Sequence, residues 1–175
     1  MYRAIVALVF MFVGQLAAAG MPDVSFPSID GGQIHMSDWD GQPVLVVNTA
    51  SQCAFTGQYA ELQALYDAYR ADGLIVLAVP SDDFRQELDS AEEVKEFCEM
   101  NFGLDMPMTD IMQVKGADAH PLYQTVKDIT GFVPKWNFSK ILFAPDGEVI
   151  ATWGSRTPPM SAPIRRAVTD ALTRQ

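Results

Sequence analysis

Residues 44–59, VLVVNTASQCAFTGQY, decide how this chain is read. Val44 to Val47 is apolar throughout and dominated by β-branched valine, as expected for a strand buried on both faces. A helical period begins near Gln58, so Cys53 falls in the strand-to-helix turn. A thiol there would face free N–H groups and the positive end of a helix dipole, both of which favour thiolate over thiol. The first expectation is therefore a reactive sulfur.

Outward from this unit, Tyr59, Leu62, Leu65, Tyr66 and Tyr69 recur at helical spacing, with Gly73 where a left-handed cap would stand. This aromatic stripe reads as core. Residues 74–80, LIVLAVP, predict a second buried strand, and SDDFRQELDS after it has no period and reads as a surface loop. Ser90 with Glu93 forms a capping box, which predicts a short helix from Ala91 carrying Val94, Phe97 and Cys98 on one face. His120-Pro121 opens another helix that ends near Gly131. ILFAP and EVIATW flank Asp146-Gly147 as two strands joined by a tight turn. Ser161 is the expected N-cap of a last amphipathic helix with Ile164, Val168, Ala171 and Leu172 on one face. Before the first core strand, residues 24–39 suggest a hairpin turning at Asp30-Gly31-Gly32. The order of elements predicts an α/β fold, a three-layer sandwich with a central mixed sheet flanked by helices.

At 175 residues and 49% hydrophobic, the chain suits one domain with a full core. Residues 1–19 have the three parts of a secretory signal peptide: Arg3, an apolar run from Ala4 to Val13, and small residues ending in Ala17, Ala18 and Ala19. The apolar run is short for a membrane span. Cleavage after Ala19 is expected, leaving residues 20–175 as the mature domain in an exported, periplasmic setting without stable membrane association. Loss of Arg3 takes the formal charge from −10 to −11, which argues against nucleic acid and anionic membranes as partners. His35 and His120 are far apart and neither has a second ligand at metal spacing, so no metal is read, and no cofactor is called for. The two cysteines, Cys53 and Cys98, are too few for a disulfide scaffold and form no CxxC pair; one structural disulfide is their plain reading, and Cys98 alone could be a small core residue.

Four stretches in order resemble the glutathione peroxidase family, which uses the thioredoxin fold. NTASQCAFT is similar to the family's N-V-A-S-x-C/U-G-x-T loop, and the resemblance gives Cys53 the role of peroxidatic cysteine. VPSDDFRQE is similar to F-P-C-N-Q-F-G-x-Q-E, which places the functional glutamine on Gln86 if one residue is deleted before it. EEVKEFCEMNFG resembles the helix bearing the resolving cysteine of two-cysteine members, and so implies that role for Cys98. KWNFSKIL matches K-W-N-F-x-K-F-L and supplies Trp136 and Asn137.

The chemistry of those residue types agrees. A thiolate cleaves a peroxide O–O bond by in-line attack, leaving Cys–SOH, and the departing oxygen needs a proton. The Trp136 indole and the Gln86 and Asn137 amides are N–H donors that cannot themselves deprotonate a thiol, and they are expected to converge on the sulfur. Ser81 stands where many relatives have cysteine, and Asp82 and Asp83 replace Asn and Gln. Two carboxylates there are expected to oppose a nearby thiolate and to repel glutathione. No basic cluster of the kind found in glutathione-adapted members is seen. The resemblance thus implies a thiol peroxidase for hydrogen peroxide or organic hydroperoxides in which Cys98 captures the Cys53 sulfenic acid, its helix unwinding to do so. A thioredoxin-like dithiol protein is expected as reductant rather than glutathione, and a monomer as the working state. The alternatives are a peroxide sensor or thiol-disulfide relay, and a non-enzymatic thioredoxin-fold module with a permanent Cys53–Cys98 disulfide.

Overall fold

The computed structural model describes residues 20–174; the expected leader, residues 1–19, lies outside them. Ten elements follow one another: β1 (Ser25–Pro27), β2 (Gln33–His35), β3 (Val44–Thr49), α1 (Gln58–Tyr69), β4 (Ile75–Pro80), α2 (Ala91–Phe102), α3 (Pro121–Thr130), β5 (Lys140–Phe143), β6 (Val149–Trp153) and α4 (Ala162–Leu172). This is the predicted succession, with each helix and strand close to its expected bounds.

The central sheet has the order β4-β3-β5-β6, with β3 and β4 parallel and the other two pairs antiparallel. All six residues of β3 are buried, as its unbroken apolar run requires. Its side chains divide by the period of two: Leu45 and Val47 pack with Leu62, Val94 and Ile164 from α1, α2 and α4. Val44 and Val46 point the other way, onto Phe26 and Met36 of the hairpin region and Leu122 and Val126 of α3. Helices therefore cover both faces of a mixed sheet, the three layers expected.

Local details follow from chemistry at the ends. Ser90 accepts the Glu93 N–H at 3.3 Å and starts α2, and Gly103 at φ 59 ends it by giving its N–H to the Cys98 and Glu99 carbonyls. His120 caps α3 by accepting the Leu122 N–H, stacks on Phe26 and bonds the Ser25 carbonyl, so it is a structural residue. Ser161 has the extended backbone of an N-cap, but its hydroxyl is buried without a partner and caps nothing. Among the described residues, no helix is long and apolar enough to cross a membrane, and no group of three or more His, Cys, Asp or Glu could hold a metal ion.

Candidate active site

The carboxyl end of β3 delivers residues 50–57 as a series of turns before α1 begins. Cys53 is buried, 6% exposed, and its Sγ accepts the Phe55 N–H at 3.4 Å. Thr56 locks the turn: its Oγ1 accepts the Cys53 N–H at 3.1 Å, and its own N–H reaches the Cys53 carbonyl at 3.0 Å. The sulfur thus has a backbone donor, as the sequence suggested, but that donor belongs to the turn and not to the first turn of α1. The sequence places the thiol at the helix mouth; the turns between Cys53 and Gln58 set it back from there.

Two further segments close on this loop. The 136–139 turn is clamped to β3 by Asn48, whose side chain donates to the Trp136 carbonyl at 3.3 Å and accepts the Ser139 N–H at 3.1 Å. Asn48 is 1% exposed, and a buried asparagine satisfied by another segment in this way ties NTASQC to KWNFS as one unit. The 81–90 segment is tied in by the Gln52 N–H to the Gln86 carbonyl at 2.8 Å. Asn137, fully buried, then donates its amide to Gln86 Oε1 at 3.1 Å. Cys53, Gln86 and Asn137 therefore come from three segments bonded to one another. The two amides spend one bond on each other, and neither they nor the Trp136 indole hydrogen-bonds Sγ, so the expected convergence of three donors on the sulfur is not made in this state.

Beside each amide the backbone is strained. Arg85 at φ 56 and Phe138 at φ 60 are the non-glycine residues with positive φ among those described, and they adjoin Gln86 and Asn137. Such conformations cost about 1 kcal/mol or more and cluster where geometry is held for function. Arg85 stands where the sequence pattern expects glycine before the glutamine, which locates the irregularity in that motif.

The 81–90 segment is not the plain surface loop that its lack of period implied. Ser81 and Glu87 are buried, and Glu87 Oε1 accepts the Ser51 N–H at 2.8 Å. The two aspartates are also placed differently from the expectation that they oppose the thiolate. Asp83 accepts the Val114 and Lys115 N–H groups at 2.6 and 3.0 Å, and Asp82 accepts the Glu87 N–H at 3.2 Å. Their charges serve the backbone of their own loop and its neighbour, which is what short acidic side chains in turns commonly do.

Trp136 is 40% exposed and lies 5.4 Å from the Phe84 ring, over which Lys115 places its ammonium at 4.1 Å. On its other side, Trp136 and Phe55 line a cavity of about 440 Å³ with Gly154, Ser155, Arg156 and Thr157. The wall of that cavity hangs from a buried lysine. Lys140 donates to Gln58 Oε1 and to the Thr157 carbonyl at 2.7 Å, and Gln58 donates in turn to the Ser155 carbonyl at 2.6 Å. Burial pushes the Lys140 ammonium down to about 8. The cations Arg156 and Lys115 near Trp136 are separate and do not make a basic cluster.

Cys98 is 1% exposed on the inner face of α2, and both cysteines are free thiols within one apolar cluster. Burial pushes the Cys98 thiol up to about 12, with Glu87 and Glu99 adding to the effect.

The glutathione peroxidase family model matches residues 21–127. A glutathione peroxidase of Lactococcus lactis is 40% identical over 143 residues, covering 78% of this chain and 90% of the relative. The chain belongs to the glutathione peroxidase family. It is also 38% identical to a hydroperoxy fatty acid reductase of Synechocystis over 75% of this chain and 85% of that one. A glutathione peroxidase-like peroxiredoxin of Schizosaccharomyces pombe is 40% identical over 74% and 85%. Among solved structures, Trgpx in its apo form superposes with a TM-score of 0.69 at 31% identity, covering 87% of this chain and 95% of that chain. A thiol:disulfide interchange protein of Chlorobium tepidum, with a TM-score of 0.67 at 14% identity over 91% of this chain and 99% of that one, shows the shared thioredoxin fold. The protein is a peroxidase of this family.

In this peroxidase, sequence reasoning named Cys53, Gln86, Trp136, Asn137 and Cys98 as candidates and missed the residues that bond their segments together. Asn48 and Lys140 sit inside motifs already read, and a polar residue within an apolar strand was their signal. Glu87 had no such signal, because it follows Gln86 in an apparently solvated loop.

Proposed function

We propose that this peroxidase reduces hydrogen peroxide or organic hydroperoxides at Cys53, with Cys98 as the resolving cysteine. The observation that carries the reading is a free Cys53 thiol holding a backbone N–H, on a loop bonded to the Gln86–Asn137 pair, each member of which adjoins a residue of positive φ. The Cys53 thiolate attacks one peroxide oxygen, the O–O bond breaks, and the second oxygen leaves as water or an alcohol on taking a proton. Gln86, Asn137 and Trp136 present N–H groups to the peroxide rather than to the resting sulfur, and Gln86 and Asn137 each adjoin a residue of positive φ. Phe55, two residues after Cys53, and Trp136 line a cavity whose apolar surface would take the organic part of a hydroperoxide. The name of the Synechocystis relative points to lipid-derived substrates of that kind.

Cys53–SOH then condenses with Cys98, for which α2 must open, and the disulfide is reduced by a dithiol protein of the thioredoxin type. Two features favour that reductant over glutathione. An internal disulfide is a substrate for dithiol exchange, and α2 presents Glu92, Glu93, Glu96 and Glu99 to the approaching thiol, disfavouring a carboxylate-bearing one. The chain acts as a monomer in this scheme. We place it in the periplasm after cleavage behind Ala19. Gly20 lies against Asp40, since a β-carbon there would meet Oδ1 at 2.9 Å, so a new terminal ammonium would be borne beside a carboxylate. Cell fractionation with N-terminal sequencing tests that placement, and gel filtration tests the monomer.

The cycle is tested by peptide mapping of fully reduced protein given one equivalent of hydrogen peroxide. The expected result is a rapid Cys53–Cys98 link, replaced in Cys98→Ser by sulfenic or more oxidised Cys53. A Cys53 that stays a thiol refutes the reading.

A further inference from the structure

The cavity shared by Phe55 and Trp136 reaches a loop, residues 154–157, that takes no part in the peroxide chemistry. Three observations meet there. First, the cavity adjoins the reacting groups through its own wall: Cys53 Sγ accepts the Phe55 N–H at 3.4 Å, and Trp136 directly precedes Asn137. Second, the loop is fixed from below. The carbonyls on either side of Arg156 are both bonded to buried side chains, Ser155 to the Gln58 amide at 2.6 Å and Thr157 to the Lys140 ammonium at 2.7 Å. Lys140 also donates to Gln58, so the two clamps are one network. A buried lysine that holds a loop's carbonyl, with no carboxylate bonded to it among the described residues, is a costly way to secure a plain connection.

Third, the residue so positioned is an unspent cation. Arg156 is exposed, and among the described residues its side chain makes no hydrogen bond, ion pair or ring contact. Lys115, by contrast, has its ammonium over the Phe84 ring. No carboxylate lines the cavity, and Glu61, beneath the same segment, is engaged by the Met160 N–H at 3.1 Å.

In a chain of formal net charge −10, an anion approaching Cys53 is repelled by the molecule as a whole and needs a local cation to settle. A guanidinium holds a carboxylate by two parallel N–H bonds, and the Phe55 and Trp136 rings give the rest of the same molecule an apolar bed. We propose that Arg156 selects organic hydroperoxides that end in a carboxylate, pairing with that carboxylate while the carbon chain lies against Phe55 and Trp136 and the hydroperoxide group reaches Cys53. A cavity of about 440 Å³ suits one single-chain molecule and is small for the paired chains of a phospholipid. The inference rests on Cys53 as the attacking thiol and names the substrate class of that site. It adds no chemical step, since Arg156 stays charged and touches the end of the substrate that does not react.

Rates of Cys53 oxidation in the reduced full chain, read by rapid quench, test this with hydroperoxylinoleic acid, its methyl ester and hydrogen peroxide, the lipids below micelle formation. The native chain should react about fivefold faster with the acid than with the ester, the scale of one exposed bidentate pair, and high salt should narrow that ratio. Arg156→Met should bring the ratio to about one. Arg156→Lys, a point charge without the fork, should leave an intermediate ratio, and Arg156→Glu should invert it. Each ratio is taken within one protein, so a general loss of stability does not move it. The proposal is overturned if the native ratio is one, if Arg156→Met keeps the native ratio, or if its hydrogen peroxide rate falls in step with the acid's, which would put Arg156 at the thiol. It is also overturned if Arg156→Met slows a phosphatidylcholine hydroperoxide as much as the acid, which would assign the cation to a phosphate, or if it cuts turnover with glutathione while sparing the ratio, which would assign it to the reductant. A native chain whose Cys53 is oxidised by none of these hydroperoxides refutes the attacking role of Cys53 itself.

Discussion

Removing one hydroxyl at the start of α2 should uncover Cys98 by a calculable factor. Cys98 is 1% exposed in the middle of that helix, so an alkylating agent reaches it only when α2 opens. The helix is held at its N-terminus by the Ser90 hydroxyl on the Glu93 N–H, at 3.3 Å. Loss of such a cap costs about 1 kcal/mol, which at RT of about 0.59 kcal/mol multiplies the open population about fivefold. On opening, the thiol also falls from about 12 toward its ordinary value, so the open form reacts far faster than the closed one and labelling counts openings. The assay is native-state alkylation of the reduced protein with both thiols followed by mass spectrometry. Ser90→Ala should label Cys98 about fivefold faster with little change at Cys53, and Ser90→Gly, which retains most of the cap's effect, less than about twofold. An unchanged Cys98 rate, or an equal rise at both cysteines, would show that α2 does not open as a local unit and refute the reasoning.

Asn137→Ala leaves Gln86 Oε1 without its donor, and should destabilise the fold by about 1–2 kcal/mol in urea titration while slowing Cys53 oxidation by at least about 100-fold in stopped flow; a native oxidation rate would remove Asn137 from the machinery. Arg85→Gly relieves a residue held at φ 56 and should stabilise by up to about 1 kcal/mol with peroxidase activity retained; loss of activity would mean that the arginine side chain, and not the backbone, is what the site uses. Lys140 is pushed down by burial from 10.5 to about 8, so between those values the folded chain binds fewer protons than the unfolded one and stability rises with pH. The wild-type minus Lys140→Met difference in urea stability should therefore grow by about 2 kcal/mol between pH 7.5 and 10, and a flat difference would refute it.

Asn48 shows why the candidate site was legible in pieces. NTASQC and KWNFS each read as special from composition and order, yet only the folded chain shows that one asparagine side chain clamps the second onto the first. The aspartates show the reverse: Asp82 and Asp83 looked like charges aimed at a thiolate because sequence gives proximity along the chain, and they are spent on backbone N–H groups contributed partly from Val114 and Lys115. The three resting donors, likewise, could be named from their chemistry but not oriented, since an amide chooses between a sulfur and another amide by distance.

By itself, the sequence determined the elements, their order and the sheet's buried centre, and it named the candidate groups by their chemistry. Those depend on local quantities: apolar period, caps such as Ser90, turn residues such as Gly147, and the donor or nucleophile character of a side chain. The tertiary structure decided which of those groups meet, that Arg85 and Phe138 carry strain beside Gln86 and Asn137, and that Glu87 turns inward beneath Cys53. Burial and desolvation arise only when distant segments close over a residue, so a loop glutamate and a core glutamate are written alike in the chain.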